Sequence, residues 1–283
     1  MVKIIASSDT AKITIVGHGI SIDAPFALDN LITLIPTPPA TDLDVVATNS
    51  VSFEDYVAVV AGRDIASFAI QVSGASGAHD LAAHGWNALW VFHLLSLAGG
   101  APCMPLFSVS EGLVPTYSMA NRMPIIRPVE KLRILSSDQL SWARTYEPSF
   151  NGLIPDPRFS AAMLCYGNAH YLPDLRVRIM LLWAGIEGLL AVDGELNRRL
   201  ALYATLLMQG SAEKKSVYFA HVKTAYGLRS KAVHGAHLPH AKLQDGYTVA
   251  STLLAELLAR CVELGRVPSR EEFDQAALSG IIT

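Results

Sequence analysis

The spacing of apolar residues changes once along this chain, and the change divides it. Over residues 3 to 73 apolar positions come in short runs that alternate or are broken by turn formers, the pattern of strands and turns. Lys12 to Val16 alternates, Leu31 to Leu34 is a short apolar run, and Pro36-Thr37-Pro38-Pro39 interrupts the chain. Asp55 to Val60 and Ile65 to Val72, joined by Ala61-Gly62-Arg63-Asp64, predict a β-hairpin. Ser73-Gly74-Ala75-Ser76-Gly77 leads into a helical run from His79 to Leu97 that Gly99-Gly100 ends. That loop lacks the lysine and the spacing of a phosphate-binding fingerprint. Met104 to Val109 predicts another strand, and Pro124 and Pro128 punctuate the segment up to Leu135.

From Ser137 the period becomes helical. Ser137-Asp138-Gln139 predicts a capped start, and Pro148 with Pro155-Asp156-Pro157 marks the passage to an all-helical half. Four or five helices are expected, over about 158–171, 174–192, 196–209, 213–234 and 246–264. In the second, Leu175, Ile179, Leu182, Ile186 and Leu189 fall on one face; in the last, Val249, Leu253, Leu257, Leu258, Cys261 and Leu264 do so. Short links between such helices argue an antiparallel bundle. The expected fold is therefore α+β: a β-containing domain over residues 1–150, of unassigned role, followed by an all-α bundle over 151–283.

Composition narrows the setting. The chain is 51% hydrophobic and 17% charged, with a mean hydropathy of +0.32, which favours a well-buried core and an apolar oligomer interface. The longest apolar stretch, Trp86 to Leu97, is short and contains Asn87 and His93, so a core helix is expected rather than a membrane span. Met1 to Ser7 carries no signal-peptide apolar region. Cys103, Cys165 and Cys261 lie far apart without metal-type spacing, as in a reducing cytoplasm.

Chemistry concentrates in Tyr226-Gly-Leu-Arg229-Ser230-Lys231-Ala-Val-His234-Gly235. On a helix Ser230 and His234 are four apart and share a face. Arg229 and His234 are five apart, roughly 140° round the axis, so one protomer alone is not expected to bring both to a single atom. Gly235 followed by Pro239 predicts a helix stop, placing His234 in the last turn, where the macrodipole favours positive charge. From Arg198 to Lys242 eight Lys or Arg, Lys223 and Lys231 among them, face one acid, Glu213, in a chain of net charge −3. Such a local field suits a phosphate chain. Glu187 interrupts an apolar helix, where an unpaired carboxylate would be costly, and Arg229 is its expected partner.

These residues resemble a known family. Tyr226-x-x-Arg229-Ser230-x-x-Val233-His234-Gly235 is similar to the Arg-x4-His signature of HEPN domains, in particular the Apea-like branch. Leu182-Trp183-Ala184-Gly185-Ile186-Glu187-Gly188-Leu189-Leu190 and Asp156-Pro157-Arg158-Phe159 resemble that branch's upstream helices, the likeness covering about residues 155 to 265. Ser230 departs from the Asn, Asp or His that commonly follows the motif arginine in active members. The resemblance implies a metal-independent endoribonuclease acting through the RNA 2′-hydroxyl. Arg229, His234 and Ser230 would be catalytic, with Glu187, Lys231, Lys223 and Tyr226 in support, no cofactor and no metal.

It also implies a homodimer lining one cleft, and a place in bacterial defence or a toxin–antitoxin system with a protein partner. The alternative is a non-catalytic RNA- or nucleotide-binding module of such a system. A third possibility, zinc on His234, His237 and His240, has the right residue type, but Pro239 prevents a regular helix through them.

Overall fold

The computed structural model describes residues 2–279. It is an α+β chain of two compact units, Met1–Thr145 and Tyr146–Thr283. The passage between them lies inside one helix, which continues through Pro148 to Leu153.

The first unit runs β1 (Lys12–His18), β2 (Ile20–Ser21), β3 (Phe26–Ala27), β4 (Ile32–Ile35), α1 (Leu43–Asn49), α2 (Phe53–Gly62), β5 (Phe68–Ser73), α3 (Ala78–Asn87), α4 (Leu89–Gly99), β6 (Met104–Glu111), β7 (Thr116–Met119) and β8 (Arg133–Ile134), followed by the first part of α5 (Ser137–Leu153). Six strands form an antiparallel sheet in the order β3-β4-β5-β1-β6-β7, and β2 pairs with β8 in parallel. Strand β1 is central and covered on both faces: Ile13 and Ile15 are fully buried and even Thr14 is only 2% exposed. Gly17 is required there, since a Cβ would lie 2.5 Å from both the Phe68 and Phe92 rings.

The hairpin expected over 55–72 is not present. Residues 53–62 form α2, and only 68–73 is a strand. A local cap decides this: the Ser52 hydroxyl accepts from the Asp55 amide at 3.3 Å and donates to its carboxylate at 2.7 Å. Asp55, itself buried, then accepts from the Met119 amide at 2.6 Å, so the same side chain fixes α2 to β7. The long helix expected over 79–97 is two helices that meet at Ala88.

The second unit, beginning within α5, contains α6 (Pro157–Ala169), α7 (Leu175–Leu189), α8 (Leu196–Leu207), α9 (Ala212–Val233), α10 (His240–Leu264) and α11 (Arg270–Ser279). Asp156 and Asp174 each accept from two first-turn amides, and Ser211 caps α9, so the starts are set by side chains next to them in sequence. Gly185 lets α7 approach closely: a Cβ would lie 2.9 Å from Cys165 on α6 and from Leu254 on α10. Helix α10 starts six residues earlier than its apolar pattern suggested, with Pro239 as its N-cap. The α11 helix was not expected. Its start is a reciprocal cap in which Ser269 and Glu272 bond each other's amides, and Phe273 stacks on Tyr203 at 4.7 Å. Among the described residues no helix is long and apolar enough to cross a membrane.

Two histidines of the first unit, His18 buried and His93 half-buried, bear on its response to acid. His18 Nδ1 donates to the Ile65 carbonyl at 2.6 Å, while Nε2 accepts from the Val129 amide at 2.9 Å, a pattern only the neutral ring can make. Burial holds its pKa below the ordinary imidazole range, and burial pushes His93 down to about 4. Both groups bind protons more readily unfolded, so their stabilisation is complete above the unfolded pKa and is lost as pH falls below about 6.5. Thermal melts from pH 7.5 to 5 should show a falling midpoint for this unit. His18→Asn should cost about 1–3 kcal/mol at pH 7.5 and flatten that decline.

Candidate functional site

Helix α9 carries most of the candidate residues and sorts them onto two faces. Val222, Tyr226 and Ala232 are buried, and Arg229 lies on that inner side against α7. There the Arg229 Nη2 is 3.0 Å from Glu187 Oε1, with both side chains about one-fifth exposed. The guanidinium carbon also sits 5.3 Å from the centre of the Tyr226 ring, and Tyr226 meets Trp183 edge-on at 5.2 Å. The expected Glu187–Arg229 pair is therefore present, within an aromatic wall. It is an ion pair without a well-aligned hydrogen bond: Glu187 Oε1 and Arg229 Nε are both buried with no hydrogen-bond partner. A guanidinium has five N–H donors, so one carboxylate contact leaves capacity for a second anion.

Lys223, Ser230 and His234 follow a second line, roughly 100–140° round from Arg229, at helical spacings of seven and four. Lys223 and His234 are exposed and Ser230 is half-buried. The Lys223 ammonium lies 5.6 Å over the Phe219 ring. Lys231 is exposed, about 80° round from Lys223. The structure thus groups Glu187, Arg229 and Tyr226, and separately aligns Lys223, Ser230 and His234. Within one chain it does not put Arg229 and His234 on a common face.

His234 is the C-cap of α9, its amide bonding the Ser230 carbonyl at 3.0 Å. Gly235 follows at φ +75°, and the Ala236 amide returns to the Lys231 carbonyl at 3.0 Å. This is the glycine-terminated stop that the sequence predicted. The turn has a further support that sequence reasoning missed. Arg176, in the first turn of α7, donates from Nη1 to the Ala232 carbonyl and from Nη2 to the Ala236 carbonyl, each at 2.8 Å. The one local signal was a cation two residues after the N-cap Asp174, where the dipole disfavours it.

The remaining cations are dispersed. Lys214 and Lys215 open α9, Lys242 lies in the first turn of α10, and Arg199 pairs with Asp193 at 3.5 Å. His237 and His240 are exposed on either side of Pro239, and among the described residues no three His, Cys, Asp or Glu side chains group as a metal site. In the first unit a cleft of about 280 Å³ lies between Pro38, Pro39, Thr41, Arg63 and Phe107, and carries none of the motif residues.

Beside the Glu187–Arg229 pair, the outward face of α7 is uncharged. Val177 and Met180 are 45% and 43% exposed, and Ala184 and Gly188 continue the same stripe in the open. Comparison with protein-family models, with curated proteins and with solved structures finds no match.

Exchanging the charges tests the ion pair. Glu187→Arg and Arg229→Glu should each destabilise the helical unit by about 1–2 kcal/mol in urea unfolding, a modest cost because both groups keep some water contact. The double exchange should recover most of that loss. A double variant no better than either single one would mean the pair contributes nothing.

Proposed function

We propose that the helical unit is a metal-independent, HEPN-type endoribonuclease that acts as a homodimer. The observation that carries this reading is the Arg229 guanidinium, anchored by Glu187 and Tyr226 with donors to spare, on the same helix that ends in an exposed His234. RNA supplies its own nucleophile, the 2′-hydroxyl. His234 serves in proton transfer, taking the proton of the attacking 2′-oxygen or giving one to the departing 5′-oxygen. The 2′-oxygen bonds to phosphorus as the P–O5′ bond breaks, leaving a 2′,3′-cyclic phosphate and a 5′-hydroxyl. Arg229 stabilises the charge that grows on the phosphate oxygens, since its fixed fork matches them. Ser230 donates to phosphate or orients His234, and Lys223 and Lys231 guide the strand.

Arg229 and His234 stand roughly 140° apart on one helix. One subunit's arginine working with its partner's histidine solves that geometry. The uncharged stripe of Val177, Met180, Ala184 and Gly188 supports such a pairing, because its small residues permit close approach beside Arg229. On this reading the protein acts in the cytoplasm, in a defence or toxin–antitoxin setting, with the N-terminal unit meeting a ligand or protein partner.

The second reading is a non-catalytic RNA- or nucleotide-binding module, favoured by Ser230 in place of the residues common in active members. Incubation with single-stranded RNA separates the two. The native protein should cleave in the presence of EDTA, and Arg229→Ala and His234→Ala should each lower the rate by about 10²-fold or more. Retained RNA with no cleavage would select the binding module; equal cleavage by all three proteins would sink the site. For the dimer, Ala184→Arg should shift the sedimenting species from dimer to monomer with the helical content unchanged.

A further inference from the structure

We propose that Arg176 is a positioning residue for His234, a role that rests on the ribonuclease reading only for its catalytic consequence. The two carbonyls it binds, those of Ala232 and Ala236, bracket His234 and Gly235 on either side. The end of a helix normally leaves such carbonyls to water or to a capping amide, and they fray with the last turn. Here a single planar group, anchored on another helix 56 residues away in sequence, bonds both at once.

A fork of this kind fixes direction as well as distance. The carbonyl of Ala232 belongs to the last turn of α9, and that of Ala236 lies beyond the left-handed glycine. Holding both sets the pitch of the turn between them, and so the angle at which the imidazole leaves the helix. Besides the two backbone bonds of the glycine-terminated stop, His234 sits at an exposed helix end, its backbone at φ −84°, ψ 18°.

The arrangement also accounts for a residue that is locally unfavourable. Arg176 occupies the second position of α7, where a cation opposes the helix dipole. Its guanidinium reaches past that end to the negative end of α9, where the same dipole effect favours it. The side chain extends from a helix whose start is fixed by Asp174, which accepts from the Arg176 amide at 2.7 Å and the Val177 amide at 3.1 Å. The base of the arginine is therefore as well held as its tip.

Arg176→Gln and Arg176→Lys test this in the full-length protein. The glutamine variant should alter the His234 ring signals in ¹H–¹³C spectra and speed exchange of the Ala236 amide by about tenfold or more. On a fluorescein-labelled single-stranded RNA it should lower kcat by about tenfold with KM unchanged, the signature of a misplaced proton-transfer group. Lysine keeps the charge and one carbonyl contact, so it should recover part of each effect. Native His234 signals and native Ala236 exchange in both variants would overturn the proposal, whatever the rate. A raised KM with kcat intact would overturn it too, by making Arg176 a phosphate contact. Should native protein cleave no RNA, the ribonuclease reading falls while the spectra and exchange still decide the role of Arg176. Should the glutamine variant fail to fold, the lysine variant is judged on the same readings.

Discussion

The contact between α7 and α9 holds the charged centre of the candidate site. Along it Trp183, Tyr226, Arg229 and Glu187 form a continuous line, with the rings edge-on and the guanidinium lying between a ring and a carboxylate. The pair is about one-fifth exposed, so removing either partner leaves the other beside the aromatic wall with only partial access to water. The pair therefore fixes the rotational setting of α9, since any turn that buried Ser230 in place of Arg229 would strand Glu187. The orientation of Lys223, Ser230 and His234, roughly 100–140° round from Arg229, follows from that setting.

Helix α7 is the common reference for this unit. Gly185 brings it against α6 and α10, and Gly246 does the same for α10: a Cβ there would lie 2.7 Å from Leu228 and 3.3 Å from Ile179. Its first turn carries two arginines that grip backbone carbonyls in different directions. Arg176 holds the end of α9, and Arg178 bonds the Leu172 carbonyl at 2.5 Å while its guanidinium carbon lies 5.3 Å from the centre of the Tyr247 ring. Both the loop that enters α7 and the turn that leaves α9 are thus tied to the same short segment.

The helices of this unit were largely legible in the sequence because their limits are local. Asp156, Asp174, Ser211 and Gly235 lie at the ends they set, and the 3.6-residue period runs between them. The Glu187–Arg229 pair was legible for a related reason: a lone acid in an apolar stripe demands a cation. Helix α2 was misread because Val57, Ala58, Val59 and Val60 resemble a buried strand, and the Ser52–Asp55 cap that settles the matter is only two side chains. The start of α11 was missed for the same reason, its Ser269–Glu272 cap being brief. Arg176 could not be assigned its carbonyls from sequence, because they belong to a different helix and only the tertiary fold brings them within reach.

One consequence of the setting of α7 concerns what can stand next to Arg229. On a helix of 3.6 residues per turn, Ala184 and Gly188 lie about 60° and 100° round from Glu187. The uncharged stripe and the ion pair are therefore neighbours on one surface rather than opposite sides of a helix. Small side chains at those two positions leave the backbone of α7 open, and a Cβ at Gly188 would meet nothing within 4 Å. On the proposed dimer reading, a two-fold pairing would cover both apolar stripes and bring the partner's His234 toward Arg229.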